Sequence, residues 1–215
     1  MTLTTTLKRM RARNMYAPRY NNLVKSLGAE WPHDMPINLL TILKHNGAED
    51  TLWALRAAQE PEADSIARLI AAACAETVLH IYEAEFLDDS RPRDAIRMSR
   101  RFATGKATQG EMEAAMYAAS AAAIDAAVYT PGYAAAAVAS AAASAAAPAV
   151  WDAAVATAFS FACNAAADRV VSATMNSVPT ATIDAGVDTI VDAAMDIAGA
   201  AAWEKITTII RGYME

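Results

Sequence analysis

The chain has 215 residues and a formal net charge of −6; 55% of the residues are hydrophobic and 20% are charged. That balance excludes a disordered chain, and the length allows a sizeable core. Alanine, the strongest helix former, makes up about a quarter of the residues, most of it after Glu111. No long run alternates apolar with polar residues, so the expected fold is a compact, alanine-rich, all-α multi-helix bundle.

The N-terminus, Met1 to Arg9, carries charges with no apolar run behind them and does not read as a secretory signal. Lys8, Arg9, Arg11, Arg13, Arg19 and Lys25 precede the first acid, Glu30, as in a nucleic-acid arm. Tyr16 and Tyr20 could stack on bases, but with Leu23 and Leu27 they form one helix face, and the core reading of that face is preferred.

Short, punctuated helices come next. Asp34-Met35-Pro36 offers a start, Ile37, Leu40 and Leu43 a stripe, and Gly47 a C-cap. Glu49-Asp50-Thr51 opens another helix with acids at the positive end of its dipole, anchored by Leu52, Trp53 and Leu55. Pro61 starts a long helix to about Glu85, with Ile66, Leu69, Ile70, Ala73, Val78 and Ile81 inward. Ser90-Arg91-Pro92 begins the next, ended by Gly105, and Thr108 with Glu111 forms a capping box for a helix to about Tyr129. Thr130-Pro131 caps a further helix, Pro148 marks a break before Trp151, Val155 and Phe159, and Pro179-Thr180 opens a last helix to about Ala201. Composition shifts near residue 107 without a linker. One domain over 1–215 is expected, with mixed short helices and basic segments in 1–106 and alanine-rich, acidic long helices in 107–215.

Ala126 to Trp151 holds no charge, long enough for a membrane span, but Pro131, Gly132 and Pro148 interrupt it and alanine inserts weakly. Two close-packed buried helices are expected instead, with no membrane association. Cys74 and Cys163 lie in helical patterns and suit a reducing compartment, so the expected location is the cytoplasm. His80 has Glu76 and Glu83 on its helix face, but no second histidine joins them, so no metal is expected. No phosphate loop, nucleophile elbow or zinc spacing occurs, and neither catalysis nor a cofactor is expected.

Charge is laid out in two ridges. Arg93, Arg97 and Arg101 recur at i,i+4 beside Arg100, within a basic segment from Arg91 to Lys106 that contains one acid, Asp94. Asp184, Asp188, Asp192 and Asp196 form the opposite ridge, although like charges at this spacing cost a helix roughly 0.2–0.5 kcal/mol per pair. The ridges either face each other or solvate separate faces, and this plain reading is preferred. In the functional alternative the aspartates imitate a row of phosphates and enter a nucleic-acid-binding groove on another protein. Acids outnumber bases beyond residue 106, and the acidic chain suits a basic protein partner better than nucleic acid. A nucleic-acid binder using Arg93, Arg97, Arg100, Arg101 and the basic N-terminus is the alternative. Apolar alanine faces suit a homo-oligomer as well as a tight monomer.

Residues 37–57, the segment Cys74-Ala75-Glu76-Thr77-Val78-Leu79, and Asp89-Ser90-Arg91-Pro92-Arg93-Asp94-Ala95-Ile96 with its alanine-rich tail resemble a family of helical immunity proteins of bacteria and their phages. The likeness spans roughly residues 37 to 170, and the Asp-x-Arg-Pro-Arg-x-Ala-Ile segment is its most specific part. It implies inhibition of a protein partner by binding, such as a toxin or a host-defence complex. It also implies Trp53, Arg56, Glu76, Arg91 and Arg93 as signature positions. Arg91 and Arg93 stand at a helix start, where cations oppose the dipole, so carboxylate partners are expected nearby, Glu76 or Asp89 among them.

Overall fold

The computed structural model describes residues 3–129, 134–147, 200–201 and 204–215. A two-residue strand, β1 (Thr4–Thr5), leads into α1 (Leu7–Ala12), whose N-cap Thr6 accepts the Arg9 backbone N–H. In α2 (Ala17–Leu27), Pro18 sits in the first turn, where its missing N–H costs little. The strand β2 (Ile37–Asn38) pairs antiparallel with β1, Thr5 opposite Ile37. Sequence reading missed this ribbon because two residues are too short to show an alternating pattern. The following helix therefore starts later than Pro36: Asn38 is its N-cap, with its side chain accepting the Leu40 N–H at 2.8 Å.

The helix α3 (Leu39–Leu55) is broken at Gly47, where φ is 84° and ψ is −177°, backbone open essentially to glycine alone. The expected stop and restart are therefore a kink, braced by the Thr51 hydroxyl donating to the Gly47 carbonyl at 2.8 Å. Four longer helices follow: α4 (Ala63–Glu85), α5 (Arg91–Ala103), α6 (Gln109–Tyr129) and α7 (Ala134–Ala145). The capping box of α6 is formed, with the Thr108 N–H and hydroxyl on the Glu111 carboxylate at 2.7 and 2.8 Å. The Thr108 N–H holds the Glu111 carboxyl below its ordinary range.

These four helices form the bundle of an all-α protein, and the core continues into the N-terminal elements through Leu7, Met10, Leu23, Leu39 and Ile42. Each of α5 and α7 packs on both α4 and α6 and on the other, which leaves α4 and α6 at the far corners of a rhomb. Arg93 meets Glu83 and Arg100 meets Glu76, so α4 and α5 run antiparallel. One end of the bundle gathers the end of α4, the start of α5 and the end of α6; the other gathers the start of α4 and the ends of α5 and α7. Between helices the contact is largely alanine: Ala119, Ala122 and Ala126 of α6, and Ala135, Ala139 and Ala142 of α7, are buried. Side chains this small let backbones approach closely.

By length and composition α4 could cross a membrane, yet much of it is buried within the protein, Ile70, Ala71, Cys74, Ala75, Val78 and Ile81 among the buried residues. Tyr16, expected in the core, is instead 66% exposed, while Leu23 on the same helix is fully buried. Residues 204–214 are helical and bury Ile206, Ile210 and Met214, beyond the expected helix end near Ala201. Cys163 and the helices expected around Trp151 and after Pro179 lie outside the described residues.

Candidate docking surface and its charged frame

The Asp-x-Arg-Pro segment builds the densest polar network of the bundle. Asp89 precedes α5 and accepts the Arg91 backbone N–H at 3.0 Å, the Arg91 guanidinium at 2.6 Å and the Tyr82 hydroxyl at 2.6 Å. The same guanidinium reaches Asp125 of α6 at 2.7 Å. Arg91 thus ties the end of α4 and the start of α5 to the last turns of α6. The hydrogen bonds from the Arg91 guanidinium, helped by the Tyr82 hydroxyl, lower the Asp89 carboxyl to about 2 from 3.8. Burial, then the hydrogen bond to Asp89, pushes the Tyr82 phenol up. Pro92 fills the first turn of α5 and is itself buried.

The expected basic ridge is formed, and carboxylates of the same molecule meet three of its four arginines. Arg93 donates to Glu83 at 2.7 Å, Arg97 to Asp94 at 2.7 Å, and Arg100 to Glu76 at 2.8 Å. Arg101 donates to the Lys106 carbonyl at 3.0 Å. The Arg100 guanidinium holds the Glu76 carboxyl below its ordinary range. Of the expected pairings, Arg91 with Asp89 is formed, whereas Arg93 takes Glu83 rather than Glu76. The two glutamates flanking His80 are therefore engaged by arginines. Among the described residues no cluster of three metal-ligating side chains occurs. The acidic ridge, Asp184, Asp188, Asp192 and Asp196, lies outside the described residues.

The basic N-terminus is largely structural as well. Arg9 donates to the carbonyls of Ala57 and Ala58 at 2.9 and 2.6 Å, just past α3, where a cation suits the negative end of the dipole. Arg19 donates to Asp50, 4% exposed, at 2.9 Å, and the Asn46 amide donates to the same carboxylate at 2.8 Å. An open cleft of about 470 Å³ borders this group, lined also by Pro18, Asn22 and Thr207. The signature residues Trp53 and Arg56 stack on each other, guanidinium to ring centre 5.6 Å.

Sequence reasoning missed two residues with structural weight. Arg68, 5% exposed in α4, donates to the Ala147 carbonyl at 2.7 Å, touches the Met112 sulfur at 3.3 Å and lies 4.9 Å over the Phe102 ring. Burial depresses its basicity and Asp64 partly restores it. Ser99, fully buried in α5, donates to the Ala145 carbonyl at 2.6 Å. Together they satisfy carbonyls that the end of α7 would leave without partners. The signal was present: Arg68 is the lone base from Ala57 to Ser90, and Asp125 the lone charge from Ala114 to Trp151.

Several large apolar side chains are exposed. Tyr117, Ile124, Val128 and Tyr129 of α6 are 66, 66, 70 and 75% exposed, and Leu87 in the turn between α4 and α5 is 86% exposed. Beside Leu87 a shallow cleft of about 320 Å³ is lined by Glu83, Asp88, Asp89, Ser90 and Arg93.

The family model described as "Imm-5 like putative immunity protein" matches residues 57–176, which take in α4 to α7 with the Asp89–Arg91–Asp125 network and the exposed face of α6. No curated protein and no solved structure matches the chain. The family match covers more than half of the chain, and the protein belongs to the Imm-5 like immunity family.

Proposed function

We propose that this protein is a non-enzymatic inhibitor that works in the cytoplasm of a bacterium, or for a phage inside one, by binding and blocking a protein target such as a toxin or a host-defence complex. Membership of the immunity family carries this reading. The net charge of −6 supports a basic target, and the arginines of α5, four of the five already held by carboxylates, leave little for a nucleic-acid backbone. The aspartates at 184, 188, 192 and 196 are a further candidate contact for the target.

The test is an affinity pull-down from host lysate with tagged protein, at low and high salt, with and without nuclease. The expected result is one discrete protein that survives nuclease and whose activity is blocked by the purified inhibitor. Recovery of nucleic acid alone, lost at high salt, would overturn the reading and restore the arginine ridge as an interface. With the target in hand, Asp188→Lys combined with Asp192→Lys tests the acidic ridge. Unchanged affinity removes that ridge from the interface.

A further inference from the structure

We propose that the turn between α1 and α2 is a binding site for single-stranded nucleic acid, with one base stacked on Tyr16 and the neighbouring phosphates held by Arg11 and Arg13. The site lies outside residues 57–176, which carry the family likeness, and it goes beyond the protein-target reading above.

An aromatic ring and two free cations meet at this turn. Tyr16 stands at the N-cap of α2, ahead of the turns that pack, and is 66% exposed, although Leu23 on the same helix face is fully buried. A ring left in water is a platform on which any base can stack. Arg11 and Arg13 are exposed as well. The Arg11 guanidinium lies 6.0 Å from the centre of the Tyr20 ring, and the Tyr20 N–H donates to the Tyr16 carbonyl at 3.0 Å, one helical turn earlier. Arg11 is thereby directed at the side of α2 that carries Tyr16. Asn14, in the left-handed region at φ 57°, makes the turn tight, so Arg13 stands only three residues from the ring.

The charge is available rather than spent. No acid precedes Glu30 in the sequence. Lys8 pairs with Asp34 and Arg19 with Asp50, whereas among the described residues no carboxylate pairs with Arg11 or Arg13. Residues 1–56 contain eight lysines and arginines against four aspartates and glutamates, so this end of an acidic chain is locally positive. The −6 of the whole does not cancel it, because exposed charges more than about 8 Å apart are largely screened at physiological salt.

The composition of the patch selects a single strand. A duplex keeps its bases stacked on one another and offers no free face to the ring. A protein partner needs about 800 Å² per side around an apolar centre. Among the described residues before α4, Tyr16 and Met35 are the large apolar side chains left exposed. A single strand asks for less: one ring for a base, and one guanidinium for each phosphate beside it.

The probe is a fluorescein-labelled oligothymidylate of about 12 nucleotides, titrated with the full-length protein and followed by anisotropy between about 50 and 200 mM salt. The expected result is binding that weakens with salt at a log–log slope of about −1.4, two phosphates at ~0.7 each. Tyr16→Ala should weaken it at least fivefold and Tyr16→Phe less than twofold, since the ring alone stacks. Arg13→Gln should weaken it and bring the slope to about −0.7. Arg97→Gln, on the α5 ridge, should change neither affinity nor slope. No binding at about 50 mM salt overturns the proposal, as does equally tight binding of a duplex of the same length. Equal competition by a glutamate-rich peptide overturns it by making an acidic protein the occupant. A larger effect of Arg97→Gln than of Tyr16→Ala overturns it by placing the strand on α5. Tyr16→Ala should melt with the parent, the side chain being exposed; a drop of several degrees would assign the ring to packing and overturn the site. The same variant should still inhibit the protein target, and loss of inhibition would assign Tyr16 to that interface instead.

Discussion

Asp89→Asn is the most informative single perturbation of the signature segment. The carboxylate takes a backbone N–H, a guanidinium and a phenol at once, which is why its acid form is suppressed to about 2 against an ordinary 3.8. A displacement of that size corresponds to about 2.4 kcal/mol of preference for the charged form. With a third of the Arg91 side chain open to water, screening reduces this to about 1–2 kcal/mol of stability. The sign follows from the direction: a depressed carboxyl contributes fully above its unfolded value near 4 and loses its contribution as pH falls toward 2. Urea unfolding of parent and Asp89→Asn should differ by about 1–2 kcal/mol at pH 7 and by about half as much at pH 3. Tyr82→Phe should cost about 1 kcal/mol, and its cycle with Asp89→Asn should show coupling of at least ~0.5 kcal/mol. A gap that stays constant from pH 7 to pH 3, or additive single costs, would refute the network as drawn.

Three further outcomes are expected from the same unfolding assay. Arg68→Ala should destabilise by about 3–5 kcal/mol, since it opens a cavity and strips the Ala147 carbonyl of a donor, whereas Arg68→Met, which keeps the stem's volume, should cost less than half of that. Gly47→Ala should cost about 1–3 kcal/mol through backbone strain alone, because no neighbour lies within 4 Å of the added methyl. Thr108→Ala should cost about 0.5–2 kcal/mol by opening the capping box of α6, measured at pH 7 where Glu111 is charged.

What was legible in the sequence follows the range of each interaction. The break at Gly47, the starts of α5 and α6 and the lengths of α4 to α6 are written in local signals: a glycine that must take a positive φ, a proline in a first turn, and a threonine three residues before a glutamate. The β1–β2 ribbon was not legible, because its register is set by contacts across more than thirty residues and its strands are too short to carry a period. The pairing of Arg91 with Asp89 could be anticipated two residues away, but the extension to Asp125 required α6 to be placed in space. The arginine ridge was visible as a pattern. That its charges are held by Glu76, Glu83 and Asp94 was not, since two of those acids lie on another helix. The exposed apolar side chains of α6 were hidden for a different reason: a helix with apolar residues all round its middle turns gives no moment from which to tell an inward face from an outward one.

An alanine core poses a problem of register that these polar contacts answer. Interlocking of large side chains makes one packing better than its neighbours, and smooth faces such as those of α6 and α7 lack much of that discrimination. A helix pair of this kind loses little apolar contact on sliding by a turn, but the directional bonds at its ends do not survive the move. Arg91 to Asp125 marks one end of the bundle, and Arg68 to Ala147 with Ser99 to Ala145 marks the other. Sliding α6 or α7 by one turn, 5.4 Å, would separate each donor from its acceptor and leave buried groups unpaired. The charged residues therefore fix a single alignment of helices that alanine alone would leave nearly degenerate. That alignment also decides which residues of α6, Tyr117, Ile124 and Val128 among them, face outward.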